Sequence, residues 1–249
     1  MLCAGCQSSS APEKPSSNQT KKIPIDPATV ATIHGVVSFT GTPPEAKPLD
    51  MSQDPACIWG APKSEPGMSE GYVVAGGHVA NVFIYVKSGL EDRAFDAPSI
   101  SVTLDQKGCR YTPHVLGIMA GQKLHIVNSD MAMHNVHTMS KINPAANISQ
   151  MPKADPVDQV FAQPEIMFPV QCNQHPWMKM YMNVLPHPFF AVSAADGSFT
   201  ISGLPPGNYT IAAVHEKMGE KTVQVTIGAK EKKQLDFAFS AQDAANAQR

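Results

Sequence analysis

Asp196-Gly197-Ser198-Phe199-Thr200-Ile201-Ser202-Gly203-Leu204-Pro205-Pro206-Gly207-Asn208-Tyr209-Thr210-Ile211 is the stretch that sets the fold class. Apolar and polar residues alternate before and after Leu204-Pro205-Pro206-Gly207, so each arm can bury one face as a strand. The prolines fix φ and the glycine allows the return, which makes the junction a rigid turn. Phe199 and Tyr209 are the anchors that such a pair would pack inward.

Working outward, further strands are expected at Ile33–Thr40, His78–Lys87, Ser101–Leu104, Gly117–Ile118, Lys123–Asn128 and Asn135–Met139. Glu165–Gln171, Met180–Leu185 and Lys221–Ile227 complete the set, each run short and bounded by Pro, Gly, Asn or Asp. The chain has 249 residues with 17 glycines and 22 prolines, enough for one large or two small domains of mostly β structure. Charged residues are 16% of the chain, with a formal net charge of −2 and no Lys/Arg run, which leaves a nucleic-acid partner without electrostatic support. No stretch approaches the apolar length of a membrane-spanning helix. The tail 241–249 is expected to be disordered.

The "DGxFxIxGLPPGxYxI" pattern of the opening stretch resembles the carboxypeptidase-regulatory-like β-sandwich, of transthyretin type. Such modules begin with a strand like His34-Gly35-Val36-Val37-Ser38-Phe39-Thr40-Gly41, which lies far upstream. The resemblance therefore implies one sandwich in two pieces, 28–97 and 189–240, with a second domain over 98–188 inserted into or fused with it.

That second segment carries the chemistry. Cys172-Asn173-Gln174-His175-Pro176-Trp177-Met178-Lys179-Met180 follows an expected strand, and Asn128-Ser129-Asp130-Met131-Ala132-Met133-His134-Asn135-Val136-His137 stands upstream. One thiolate, two imidazoles and a thioether keep both Cu(I) and Cu(II) accessible. From about Tyr111 to Val184 the chain resembles the cupredoxins, amicyanin in particular, through Met-x-x-His-Asn-Val-His and Cys-x-x-His-Pro-aromatic-Met. The resemblance implies a Greek-key β-sandwich holding one type 1 copper on His134, Cys172, His175 and Met178, with Met180 as the alternative axial ligand. It also implies that Asn135 hydrogen-bonds across to the cysteine loop. Pro176 and Trp177 would then border an exposed edge of His175 through which electrons leave. His137, on the opposite face of a strand from His134, is not expected to be a ligand. Zinc could use the Cys and His donors but has little use for the thioether.

Cys57 and Cys109 can pair in an oxidising compartment, closing a loop of about 52 residues worth about 4 kcal/mol in the chain-entropy model. Free thiols are the other reading. His215-Glu216 is a tempting second site, read here as a solvated strand end. At the start, Leu2-Cys3-Ala4-Gly5-Cys6-Gln7-Ser8-Ser9 resembles the end of a bacterial lipoprotein signal. That resemblance implies lipidation at Cys6, a signal remnant and flexible tether over 1–27, and a place in the periplasm or cell envelope. Membrane contact would then be through the lipid alone.

With no Ser/His/Asp set or second copper site, the chain is expected to be no enzyme. The leading expectation is a blue copper electron carrier serving a redox protein, a cytochrome or a dehydrogenase. The alternatives are an extracytoplasmic copper-binding and delivery protein, suggested by the methionines crowding the two loops, or a cell-envelope binding module with no redox role.

Overall fold

The structure, a computed structural model, describes residues 24–59 and 67–246, the side chain of residue 59 excepted. In chain order the elements begin with β1 (Ala31–Thr40), the helix α1 (Pro55–Trp59), β2 (Val74–Ala75), β3 (His78–Val79) and β4 (Phe83–Ser88). They continue with β5 (Val102–Gln106), β6 (Tyr111–Thr112), β7 (Val115–Met119), β8 (Lys123–Asn128) and β9 (His134–Thr138). Next come β10 (Asn147–Gln150), β11 (Val157–Val160), β12 (Glu165–Gln171), β13 (Lys179–Leu185) and β14 (Phe190–Val192). The series ends with β15 (Ser198–Leu204), β16 (Gly207–His215), β17 (Gly219–Ile227), β18 (Lys232–Gln234), β19 (Phe237–Ser240) and the helix α2 (Ala241–Asn246).

The architecture is mostly β, with two sandwich-like bodies. In one, the sheet β15-β1-β3-β2 faces the sheet β14-β4-β16-β17. Strand β1 is central: it pairs antiparallel with β15 on one side and parallel with β18 and β19 on the other. Its inward residues Ile33, Val37 and Phe39 join Phe199, Ile201, Leu204, Tyr209 and Ile211 in one apolar core. The turn after β15 is closed by the Tyr209 hydroxyl, which donates to the Pro205 carbonyl at 2.8 Å. Gly35 must be glycine for packing reasons, because a Cβ there would lie 1.9 Å from the Leu235 carbonyl oxygen.

The other body pairs the sheet β10-β9-β12-β13-β7 with the sheet β11-β8-β5-β6. Parallel pairings of β13 with β7 and of β5 with β8 give it crossed, Greek-key connections. Leu104, Leu124, Ile126, Val136, Phe168, Val170, Met180 and Val184 fill its core. Strand β4 reads Phe-Ile-Tyr-Val because both of its faces are covered. Ile84 and Val86 join the first core, while Phe83 and Tyr85 pack with Val115, Leu185, Ala212 and Val214 between the two bodies. Gly117 lets them approach, since a Cβ there would lie 2.6 Å from both the Phe83 and Phe190 rings.

Two local expectations are corrected. Residues 241–246 form α2 with Ala244 buried, so this part of the tail is ordered by packing against β19; residues 247–249 lie outside the described residues. His215 is not solvated: it is buried against Tyr72 and Phe239, and its Nδ1 accepts from the Lys217 amide at 3.1 Å. Glu216 turns the other way, to His114 at 3.0 Å, so the two neighbours form no joint site. Cys3 and Cys6, with the lipidation expected at Cys6, lie outside the described residues.

Candidate metal centre

Strand β9 begins at His134, and the loop that follows β12 carries Cys172 and His175. Their donor atoms converge: the two Nδ1 atoms are 2.9 Å apart, and Cys172 Sγ lies 3.6 Å from His175 Nδ1. His134, Cys172 and His175 are all buried. The loop is closed on itself, with the Cys172 amide donating to the Met178 carbonyl at 3.2 Å and the Met178 amide to the His175 carbonyl at 2.8 Å. Asn135 ties this loop to β9, its Oδ1 accepting from the Asn173 amide at 2.7 Å and the Cys172 thiol at 3.3 Å. His137 stands away from the cluster, its Nδ1 2.9 Å from Asn173 Oδ1. The Met178 and Met180 side chains are fully buried in the core of the same sandwich.

The far nitrogens of both rings are also taken. His134 Nε2 meets Asp130 Oδ2 at 2.9 Å, and His175 Nε2 meets Asp54 Oδ2 at 2.9 Å. Carboxylates placed there set the tautomer and orientation of a ligating imidazole and raise its basicity. Asp130 is itself held by the Gly108 and Cys109 amides, each at 2.7 Å. Behind it, the Asn128 side chain donates to the carbonyls of Ala132, Gln150 and Met151. Neither carboxylate figures among the sequence candidates. Asp130 precedes His134 by one helical-type interval and could have been suspected; Asp54 offers no spacing signal at all.

The charges follow from these contacts. Burial pushes the Cys172 thiol up, but His134 and the surrounding backbone amides outweigh it and bring it down to about 6. Burial pulls His134 down, while Asp130 and Cys172 lift it to about 8. Each group thus shifts the other toward its charged form, the thiol down and the imidazole up. Burial raises Asp130, yet its hydrogen bonds leave it below the usual carboxylate range; Asp54 is lowered by its bond to His175.

Cys57 and Cys109 form the expected disulfide, with Cα atoms 5.5 Å apart. It lies against the centre, Cys57 Sγ being 3.8 Å from His175 Nε2. Among the described residues three ligand groups result: His134–Cys172–His175, Asp54–Cys57–His175 and Cys109–Asp130–His134. In the second and third the sulfur is tied up in the disulfide and is no thiolate.

This arrangement overturns the type 1 copper reading. A blue copper carrier needs an open His-Cys-His-Met set with one ring edge facing its redox partner. Here the outer edge of His175 is covered by Asp54 and the disulfide, and the ring is 2% exposed. Trp177 tilts onto that ring at 5.0 Å and donates to the Cys109 carbonyl, sealing the surface rather than presenting it. The electron-carrier role and its resident type 1 copper on His134, Cys172, His175 and a methionine are withdrawn.

The carboxypeptidase regulatory-like domain family matches residues 187–240. No curated protein matches the chain. Among solved structures, a Cu-containing nitrite reductase (NirK) from Thermus scotoductus SA-01 is 19% identical at a TM-score of 0.33, over 47% of this chain and 25% of that one. This chain thus spans about a quarter of the reductase's length. A purple cupredoxin from Nitrosopumilus maritimus is 19% identical at 0.29, over 33% of this chain and 98% of that one. An amicyanin mutant in its Cu(I) form is 19% identical at 0.30, over 41% and 97%. Likenesses this weak say nothing about what the chain binds. The molecule is thus mostly β, built of two sandwich-like bodies, and its residues 187–240 match the carboxypeptidase regulatory-like domain family.

Proposed function

We propose that the protein captures a thiophilic metal ion, Cu(I) by the chemistry of the donors, as cargo outside the cytoplasm and hands it on without redox cycling. The observation that carries this reading is the triad of Cys172 Sγ with His134 Nδ1 and His175 Nδ1, each ring backed by its own carboxylate. A buried thiolate with two imidazoles suits a soft cation. Met131, 71% exposed, sits in the loop that leads from Asp130 to His134 and offers a thioether at the surface. A disulfide and a carboxypeptidase-regulatory-like domain both fit an extracytoplasmic setting, and the lipid tether at Cys6 would hold the chain to the envelope. Nothing in this role calls for catalysis.

Anaerobic competition between the protein and a calibrated Cu(I) chelator tests it. One Cu(I) per chain is expected, with Cys172→Ser abolishing tight binding and Asp130→Asn weakening it by about 10–100-fold. Equal, weak binding by the wild type and Cys172→Ser would leave a cell-envelope binding module with no metal role.

A further inference from the structure

The two imidazoles have two sides. Their Nδ1 atoms face Cys172, while their Nε2 atoms face Asp54 and Asp130 with the disulfide between (Cys57 Sγ to His175 Nε2, 3.8 Å). The bonded sulfurs therefore stand where two further ligand triads meet, Asp54–Cys57–His175 and Cys109–Asp130–His134. Each triad lacks only a thiolate. The carboxylates that orient the two imidazoles thus also line the disulfide, which brings oxygen, nitrogen and sulfur donors together at one place. A disulfide stabilises equally well among apolar side chains.

We infer that the Cys57–Cys109 pair, once reduced, is a second metal site, taking a thiophilic divalent cation of the zinc class between two thiolates, with His175, Asp54, Asp130 and His134 around it. Two thiolates with imidazole or carboxylate donors make a four-coordinate set of the kind zinc favours. The chemistry balances with a dithiol as reductant. Its two thiols become a disulfide as the Cys57–Cys109 bond opens to two thiols, and the cation then displaces two protons to solvent. Access lies through α1, whose backbone bonds are local, from the Cys57 and Ile58 amides to the Asp54 carbonyl, and which pairs with no strand. Ile58, next to Cys57 on this helix, is 46% exposed. The inference rests on the reading that this cluster takes metal, but it does not require Cys172.

The test counts zinc on the full chain by elemental analysis, after loading and anaerobic gel filtration, before and after dithiothreitol treatment. Thiol titration follows the opening of the bond. Reduction is expected to add one zinc per chain in the wild type and in Cys172→Ser, and to add none in the Cys57→Ser/Cys109→Ser double variant. If Cys172→Ser loses the first ion and keeps the reduction-dependent one, the second site stands apart from the first. An unchanged zinc count in a chain whose thiols have been freed would overturn the inference, as would a bond that dithiothreitol leaves closed in the folded chain.

Discussion

The two sandwiches solve the burial problem in opposite ways. The one built on β1, β4, β15 and β16 has an apolar core closed by Phe199, Phe239, Phe189 and Tyr209, and its buried polar residues reduce to His187, Ser193 and His215. The one that holds the centre buries Gln106, Asn128, Asn135, Asn143, Gln150 and Glu165 besides its histidines. Those amides are not idle. Gln106 donates to Gln150 at 2.7 Å, Gln150 donates to the Ile126 carbonyl, and Asn128 grips three carbonyls of the loop before His134. A hydrogen-bonded polar network of this kind fixes geometry, although the Gln106 side-chain oxygen has no partner, whereas an apolar core mainly supplies stability. The first body is the scaffold and the second the positioning device.

That contrast can be broken most directly in the scaffold. Phe199→Ala should cost about 3–5 kcal/mol in chemical denaturation, since it empties a well-packed core position. A loss below about 1 kcal/mol would mean that stability resides elsewhere. In the other body Asn128→Ala should cost about 2 kcal/mol by stranding carbonyls, and it should also loosen Asp130 and weaken metal binding. Phe199→Ala, measured in its folded range, should leave binding unchanged. Equal effects of both on binding would erase the distinction.

The smallest effect is in pH, where the two bodies should respond over different ranges. Burial lowers His215 in the scaffold to about 4, so the unfolded chain takes up a proton that the folded one refuses. Stability should fall by about 1–2 kcal/mol as pH drops from about 6.5 to 5, and His215→Gln should flatten that limb. His134, lifted to about 8, contributes stability that is complete below its unfolded value and lost as pH rises through 8. Cys172, lowered to about 6, contributes stability present above its unfolded value and lost as pH falls through 6. Between about 6.5 and 8 these two oppose each other; replacing Cys172 by Ser removes its rising contribution and part of the lift on His134, so that the decline due to Asp130 alone should remain. Denaturation midpoints across the range would show it.

Much of the scaffold was legible because its strands alternate, as in β15 with Phe199 and Ile201 inward before the pattern shifts at Gly203 to bury Leu204. The strands β10 and β11 were not, since Asn147–Gln150 and Val157–Val160 are mostly polar edge strands with no apolar run to betray them. At the centre, spacing alone pointed to His134, Cys172 and His175, because a loop of Cys and His beside a strand-borne His is a local pattern. What covers them is not local. Asp54 reaches His175 across 121 positions of sequence, and the disulfide arrives from the same segment. Exposure of the ring edge, on which the electron-transfer reading turned, is a tertiary property with no periodicity to announce it.

Strand β1 has one more consequence. Its free edge is filled by β18 and β19, with the Val36 amide bonded to Asp236, 200 positions onward. During synthesis the scaffold's central strand must therefore wait, paired only through Ser38 with His78, until β15, β18 and β19 have emerged. Pairings this distant slow the search for the native state. The inner body draws its strands from a contiguous stretch and can mature first, so the supporting frame closes around a centre that is already built.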